Sequence, residues 1–355
     1  MIQRPLQPLR THAARFTMSL RRTLGPLHHL GSCGRRAAAG LFFGMLASLW
    51  AASAAQAAYP DRPVTIVVPF AAGSAADANV RVLADKLKNT LGTPVVVDNK
   101  PGANGLIGTK AVVGAAADGY TLLYHSTSIV ISPWLVKGAP DPTKTLVPLV
   151  QVASTPYLIA VRPALGIRTL AEFIAYAKSH PNGLACSTYG VGSPPHIALE
   201  LLKQSAGIDV LHVPYRAGFA GALVDLESGQ LQCAVDLPAN VMPHAARGAL
   251  VAVAATAPST LPSLKGVPVL SNEFPAAAVV GWSGLFAPLG TPPEVLHRLE
   301  AALKQAIADP TVLSSLQNVG MSPTPAAPPA EFAGQVQTDL TRFGEIIRRN
   351  GITAQ

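Results

Sequence analysis

Residues 59–77 read YPDRPVTIVVPFAAGSAAD. The run Val64–Val68 is a block of apolar and β-branched residues, the pattern of a strand buried on both faces of a parallel sheet. Pro69 ends it, and Ala71–Ala76 follows as a loop whose side chains are too small to cover their own backbone. A helix starting behind such a loop turns its first N–H groups outward, where they attract anions. Strand, small-residue loop and helix start together predict an α/β protein whose first loop holds a carboxylate without a catalytic side chain. That arrangement favours a receptor over an enzyme.

Upstream, residues 37–54 are almost wholly apolar, preceded by Arg35-Arg36 and followed by Ala55-Gln56-Ala57, a small-x-small cleavage site. Residues 1–57 are therefore expected to be a signal peptide, not a membrane anchor. Seven of the 27 basic residues and none of the acids lie in this leader, so the remainder holds 20 basic residues against 19 acidic. The formal charge of +8 is mostly a property of the leader, and no nucleic-acid partner is expected. Beyond the leader only Cys186 and Cys233 remain. Both fall in strand-like runs and are expected to be free thiols, because a bridge demands strict geometry. The histidines beyond the leader are scattered without metal-ligand spacing, so no metal and no cofactor are expected.

Strand-like and helix-like runs alternate through residues 58–355, which predicts parallel sheets with helices on both faces. Val80, Leu83, Ala84, Leu87 and Leu91 repeat at helical spacing, and Gly92 closes that helix. Strands at Val95–Val97 and Tyr120–Tyr124 and a helix between them complete a first unit, which runs into the polar loop 125–128. A second unit repeats the pattern, with strands at Leu184–Ser187, Val210–Val213, Gln232–Val235 and Leu250–Ala255. Thr169 with Glu172, and Thr291 with Glu294, have capping-box spacing. Phe332, Val336, Leu340, Phe343 and Ile347 mark a long terminal helix. The expected division is 58–160 as the first domain, 161–281 as the second, and 282–355 returning to the first. Chain crossings near Tyr157–Val161 and Trp282–Leu285 would form a hinge about a cleft.

The ordered segments YPDRPVTIVVPFAAGSAAD, VVVDNKPGANGLIGT (95–109), ADGYTLL (117–123), YGVGSPPHIALELL (189–202), VLHVPYRAG (210–218) and GLFAPLGTPPEVLHRL (284–299) resemble the periplasmic substrate-binding proteins of tripartite tricarboxylate transporters, the Bug family. The resemblance implies a two-domain periplasmic-binding-protein fold of the type II, Venus-flytrap kind. It implies a small organic acid as ligand and transient contact with membrane transporter subunits or a sensor ectodomain, the receptor acting as a monomer. It also implies that two loops grip the ligand. They map onto Ala71, Ala72, Gly73, Ser74 and Ala76 with Asp77, and onto Gly190, Gly192, Ser193 and His196. The family's first loop commonly places a threonine before the aspartate, whereas this chain has Ser74-Ala75-Ala76-Asp77, so the ligand does not carry over.

Phe70 borders the first loop, Ser126 and Ser128 lie in the loop after the third strand, and Asp236 ends a strand of the second unit. Tyr215 and Arg216 follow another strand of that unit, and Arg216 suits a bidentate pair with a carboxylate. Ser193 and His196 have the types of a nucleophile and base, the basis of a rival reading as a secreted hydrolase or isomerase. Their spacing at a helix start suits capping equally, and no orienting third group is visible. Asp77 reads as an acceptor for loop N–H groups. A sensory accessory protein is a further rival. If export removes the leader, N-terminal sequencing of the periplasmic form should begin at or near Ala58; recovery of the intact leader on membranes would refute the cleavage.

Overall fold

The structure, a computed structural model, describes residues 59–215, 218–324 and 328–353. The expected signal peptide and the candidate Arg216 lie outside these residues. The chain opens with β1 (Val64–Val68), α1 (Ala75–Leu91), β2 (Val95–Asn99), α2 (Leu106–Val113) and β3 (Thr121–Ser126). It continues with α3 (Ser128–Leu135), the short α4 (Pro142–Thr145) and the long β4 (Leu146–Pro156). Next come β5 (Leu158–Val161), α5 (Leu170–Ser179), β6 (Ala185–Thr188), α6 (Pro194–Ala206), β7 (Leu211–Pro214) and α7 (Phe219–Ser228). They are followed by β8 (Cys233–Asp236), α8 (Pro238–Ala246), β9 (Val251–Ala255) and the short α9 (Leu270–Glu273). The last part holds β10 (Val280–Pro288), α10 (Pro293–Ile307), α11 (Pro310–Asn318), the two-residue β11 (Ser322–Pro323) and α12 (Pro329–Arg349).

Local chemistry accounts for these elements. The apolar stripe of α1 is buried from Val80 to Leu91, and Gly92 ends the helix in the left-handed region with its N–H on Lys88. Thr169 and Glu172 close the expected capping box at the start of α5. The second expected box does not form. Pro293 is the first helical residue of α10, which puts Glu294 at the second helical position, and the Thr291 hydroxyl donates to Pro288 O instead, at 2.8 Å. The stripe Phe332, Val336, Leu340, Phe343 and Ile347 of α12 is buried as its spacing requires.

The strands form two sheets, ordered β11-β4-β10-β3-β1-β2 and β7-β6-β8-β5-β9. Each contains a parallel trio, β2-β1-β3 and β7-β6-β8, in which the first strand in sequence lies between the second and third. In each sheet an antiparallel strand flanks the third member of the trio: β10 beside β3, and β5 beside β8. The two halves thus repeat one topology. Helices cover both faces, and one buried apolar cluster runs through both halves, from Val67 and Ile129 to Ile159 and Ile197.

The chain passes from the first sheet to the second at Tyr157 and is back in the first by Val280, two residues before the expected return segment. The two passages meet at Thr256, which is fully buried. Its hydroxyl accepts from the Tyr157 N–H at 2.9 Å and donates to Val279 O at 2.6 Å, while its own N–H donates to Tyr157 O at 2.8 Å.

The expectation of free thiols is corrected: Cys186 and Cys233 form a disulfide. They are directly opposed on the neighbouring strands β6 and β8, with Cα atoms 4.4 Å apart. Sequence inspection does not show which strands are neighbours, and that adjacency is what makes the bridge possible. A bridge across 47 residues stabilises by about 4 kcal/mol on the chain-entropy account.

Thr256→Val keeps the shape of the side chain but strips partners from a buried N–H and a buried carbonyl. It should lower the unfolding free energy by about 2–4 kcal/mol, read from the shift of the urea midpoint at constant slope. A loss under about 0.5 kcal/mol would show that the passages do not depend on this hydroxyl.

Candidate functional site

In an open α/β sheet, ligands bind outside the carboxyl ends of the strands where the winding direction reverses. The two trios put those points at the ends of β1 and β3 in the first sheet and of β6 and β8 in the second. The loops leaving these strands carry Phe70–Ala76, Ser126–Ser128, Tyr189–Ser193 and Asp236, which include most of the candidate residues. The two rims meet. A Cβ added to Gly192 would collide with Leu135 and come within 3.8 Å of Ile131, both on α3, so the second rim packs directly on the helix that leaves the first.

The first rim is shaped by Asp77, which is 3% exposed. One carboxylate oxygen accepts from the Gly73 N–H at 2.8 Å and from Arg81 Nε at 3.0 Å, and the other accepts from Asn99 Nδ2 at 2.9 Å. The Arg81 hydrogen bond, reinforced by those from Gly73 and Asn99, holds the carboxyl below its usual range. Asn99 also donates to Phe70 O at 3.2 Å, tying the end of β2 to the start of the loop. Asp77 is thus committed to building the loop. Ser74 caps α1, its hydroxyl accepting from the Asp77 N–H and its own N–H donating to Ala71 O. The donors that remain at the head of this 17-residue helix are the N–H groups of Ala75 and Ala76, which have no intrahelical acceptor. The expected anion pole of Gly73–Ala76 narrows to these two.

The second rim differs in kind. The Gly192 N–H donates to His196 Nδ1 at 3.0 Å, and the Ser193 N–H donates to Gly190 O at 3.2 Å. The Gly190 N–H donates to the Thr188 hydroxyl at 3.3 Å. Pro194 and Pro195 open α6 and have no N–H to offer. The Gly192 and Ser193 amides thus each have a partner within the loop. The Ser193 hydroxyl donates to Gly190 O at 2.7 Å, and His196 accepts from Gly192. They form no nucleophile–base pair.

Behind this loop stands a support that sequence reasoning missed. The rings of His196 and His212 stack at 3.8 Å, and His212 Nε2 lies 2.7 Å from the Thr188 hydroxyl, which touches both Gly190 and Ser193. His212 stood in a quoted segment, VLHVPYRAG, but only the pairing of β7 with β6 shows what it faces.

Of the other candidates, the Ser126 and Ser128 hydroxyls pair with each other at 3.0 Å on the first rim. Asp236 is 3% exposed at the end of β8, and burial raises its carboxyl to about 6. Tyr215 follows the edge strand β7, away from the winding reversal, and its hydroxyl bonds to Asp225 of α7. Among the described residues no group of three or more His, Cys, Asp or Glu is arranged to hold a metal ion, and no helix is long and apolar enough to cross a membrane.

Comparison with known proteins agrees with this geometry. The family model described as "Tripartite tricarboxylate transporter family receptor" matches residues 79–352. A UPF0065 protein from the tcbD-tcbE intergenic region of Pseudomonas sp. strain P51 is 34% identical over 316 residues, covering 88% of this chain and 93% of that protein. Among solved structures, the periplasmic binding protein BugD is similar with a TM-score of 0.69 and 31% identity, covering 84% of this chain and 100% of its own. MatC of Rhodopseudomonas palustris with bound malate gives a TM-score of 0.66 and 30% identity, covering 81% and 100%. An R. palustris protein with adipate gives 0.70 and 28%, covering 83% and 99%.

Burial pushes His125, His196 and His212 down from 6.5 to about 4. Each stays neutral in the folded protein, so between about pH 6.5 and 4 the unfolded chain binds more protons and stability falls as pH falls. Asp236, raised to about 6, and Asp339, raised by burial, act in the opposite direction, two groups against three. The urea midpoint should be level above about pH 7 and drop steadily toward about pH 4.5. A midpoint that rises on acidification would contradict neutral, buried histidines.

Proposed function

The chain belongs to the tripartite tricarboxylate transporter receptor family, and from that premise we propose that it is a periplasmic receptor which captures a small organic acid between its two sheets and delivers it to the membrane subunits of such a transporter. One observation carries the reading: the winding reversals of two repeated half-sheets face each other, with Gly192 seated on α3. A ligand lodged there touches both halves and favours their approach, which is how differential affinity shifts a population. On this reading the part of the chain before Tyr157 and from Val280 onward forms one moving body and the part between them the other, turning about the passages joined at Thr256.

The chemistry supports an acid. The Ala75 and Ala76 N–H groups head a long helix, and such a terminus favours an anion by about 0.3–1 kcal/mol, more when partly buried. Solved relatives hold malate and adipate. The protein performs no catalysis on this reading, and Ser193 and His196 are committed to backbone partners. On this reading the receptor acts as a monomer.

A thermal-shift screen of four- to six-carbon organic acids should find stabilising compounds, worth about 2.7 kcal/mol at 100 times the dissociation constant. A hit should be recovered chemically unchanged. Gly192→Val, which drives a side chain into Leu135 and strains a residue at φ +74°, should weaken that hit at least about tenfold. Unaltered affinity in calorimetry would place the ligand away from the junction of the two rims, and conversion of the hit would establish an enzyme.

A further inference from the structure

The second rim ends in three polar side chains that the anion pole does not use. Asp236 closes β8, Tyr189 opens the loop after β6, and Tyr157 sits at the passage between the sheets. The Tyr157 and Tyr189 rings meet edge to face at 6.3 Å. One oxygen of Asp236 accepts from the Leu237 N–H at 2.7 Å and from Asn240 Nδ2 at 2.6 Å. No lysine or arginine among the described residues pairs with this carboxylate. The Tyr189 hydroxyl is fully buried, lies within reach of the Asp236 carboxylate, and closes no well-aligned hydrogen bond.

Resting on the receptor reading above, we propose that Asp236, Tyr189 and Tyr157 form a second pole of the cleft, which selects an uncharged or cationic hydrogen-bond donor on the ligand. The preferred solute is an organic acid whose far end carries a hydroxyl, amide or ammonium group, not a second carboxylate.

Three arguments converge. A buried phenol held only by a poorly aligned contact with Asp236 is costly, and a polar group of the ligand relieves that cost. A carboxylate brought against Asp236 meets a like charge in a desolvated setting, which rejects it. A donor meets the free lone pairs of Asp236 and of one or two phenol oxygens. Burial raises Asp236 because water is excluded around it, and the same exclusion strengthens a bond to a donor that enters. The cleft is then polar end to end: helix N–H groups at one pole, acceptors at the other.

The test uses ligand-free full-length mature protein and calorimetry with chain-matched acids of four, five and six carbons, ending in methyl, hydroxyl, ammonium or a second carboxylate. In the length that fits best, the hydroxyl- or ammonium-terminated acid should bind at least about tenfold more tightly than the dicarboxylate. Asp236→Asn should abolish or invert that ranking. Tyr189→Phe, a milder change, should weaken the donor-bearing acid about five- to tenfold and leave the methyl-terminated acid unaffected; it also decides the matter if Asp236→Asn fails to fold. A dicarboxylate that binds as well as or better than the donor-bearing acid would overturn the proposal while leaving the receptor reading intact, as would a ranking unmoved by both variants. Absence of binding by every acid would overturn the carboxylate-receptor reading, and this proposal with it.

Discussion

The arrangement depends on one buried hydroxyl shared by two strands. Thr256 accepts from Tyr157 and donates to Val279, so the outgoing and returning passages between the sheets are held side by side at the end of β9. Backbone N–H and C=O groups buried at such a junction require partners, and here a side chain supplies them where no strand pairing reaches. Gly281 shows how tight the junction is: a Cβ there would overlap the Tyr157 hydroxyl. Two passages held this closely leave rotation about their common line as the easiest relative motion of the halves. That line fixes which loops can meet, and they are the four at the winding reversals.

The two rims achieve order by opposite means. At the first, a buried aspartate accepts the Gly73 N–H and leaves the head of α1 open. At the second, Thr188, His196 and Gly190 accept from the N–H groups of Gly190, Gly192 and Ser193, and the two prolines that open α6 have no N–H. On the proposed reading the ligand meets mostly side chains at the second rim and backbone at the first. The disulfide between β6 and β8 stiffens the strands beneath Tyr189 and Asp236, and the stacked histidines do the same from behind the loop.

Much of this was legible in the residues. Val64–Val68, the α1 stripe, the Thr169 box and the α12 stripe each rest on local chemistry, and each stands where its spacing puts it. The Thr291 box failed because two consecutive prolines shifted the helix start by one position, a local effect that only the backbone reveals. The disulfide and the neutral histidine stack depend on which strands are neighbours, and spacing along the chain carries no such information. The candidate loops were read correctly around residues 70–74 and 189–193, whereas His125 and Ser126 end β3, Ser128 opens α3 and Ala75 and Ala76 open α1, and the free donors could not be counted. A small-residue loop exposes its backbone in principle, yet whether an N–H faces solvent or a partner such as His196 depends on residues folded against it.

The division of labour between the rims bears on how such a receptor acquires its ligand preference. A pole made of backbone N–H groups at a helix head recognises negative charge, and almost any small side chain at Ala75 and Ala76 leaves it unaltered. Preference among acids then falls to side chains that can be exchanged singly without rebuilding a loop. On the proposed reading Tyr189 is such a residue: its hydroxyl closes no well-aligned hydrogen bond, so its removal costs the fold less than the loss of Asp77 does. Asp77 is the reverse, since three partners lean on its carboxylate and its loss collapses the loop. A chain that shifts from one acid to another therefore has its cheapest route through Tyr189 and the carboxylate of Asp236, with the first rim and the Thr256 junction held constant.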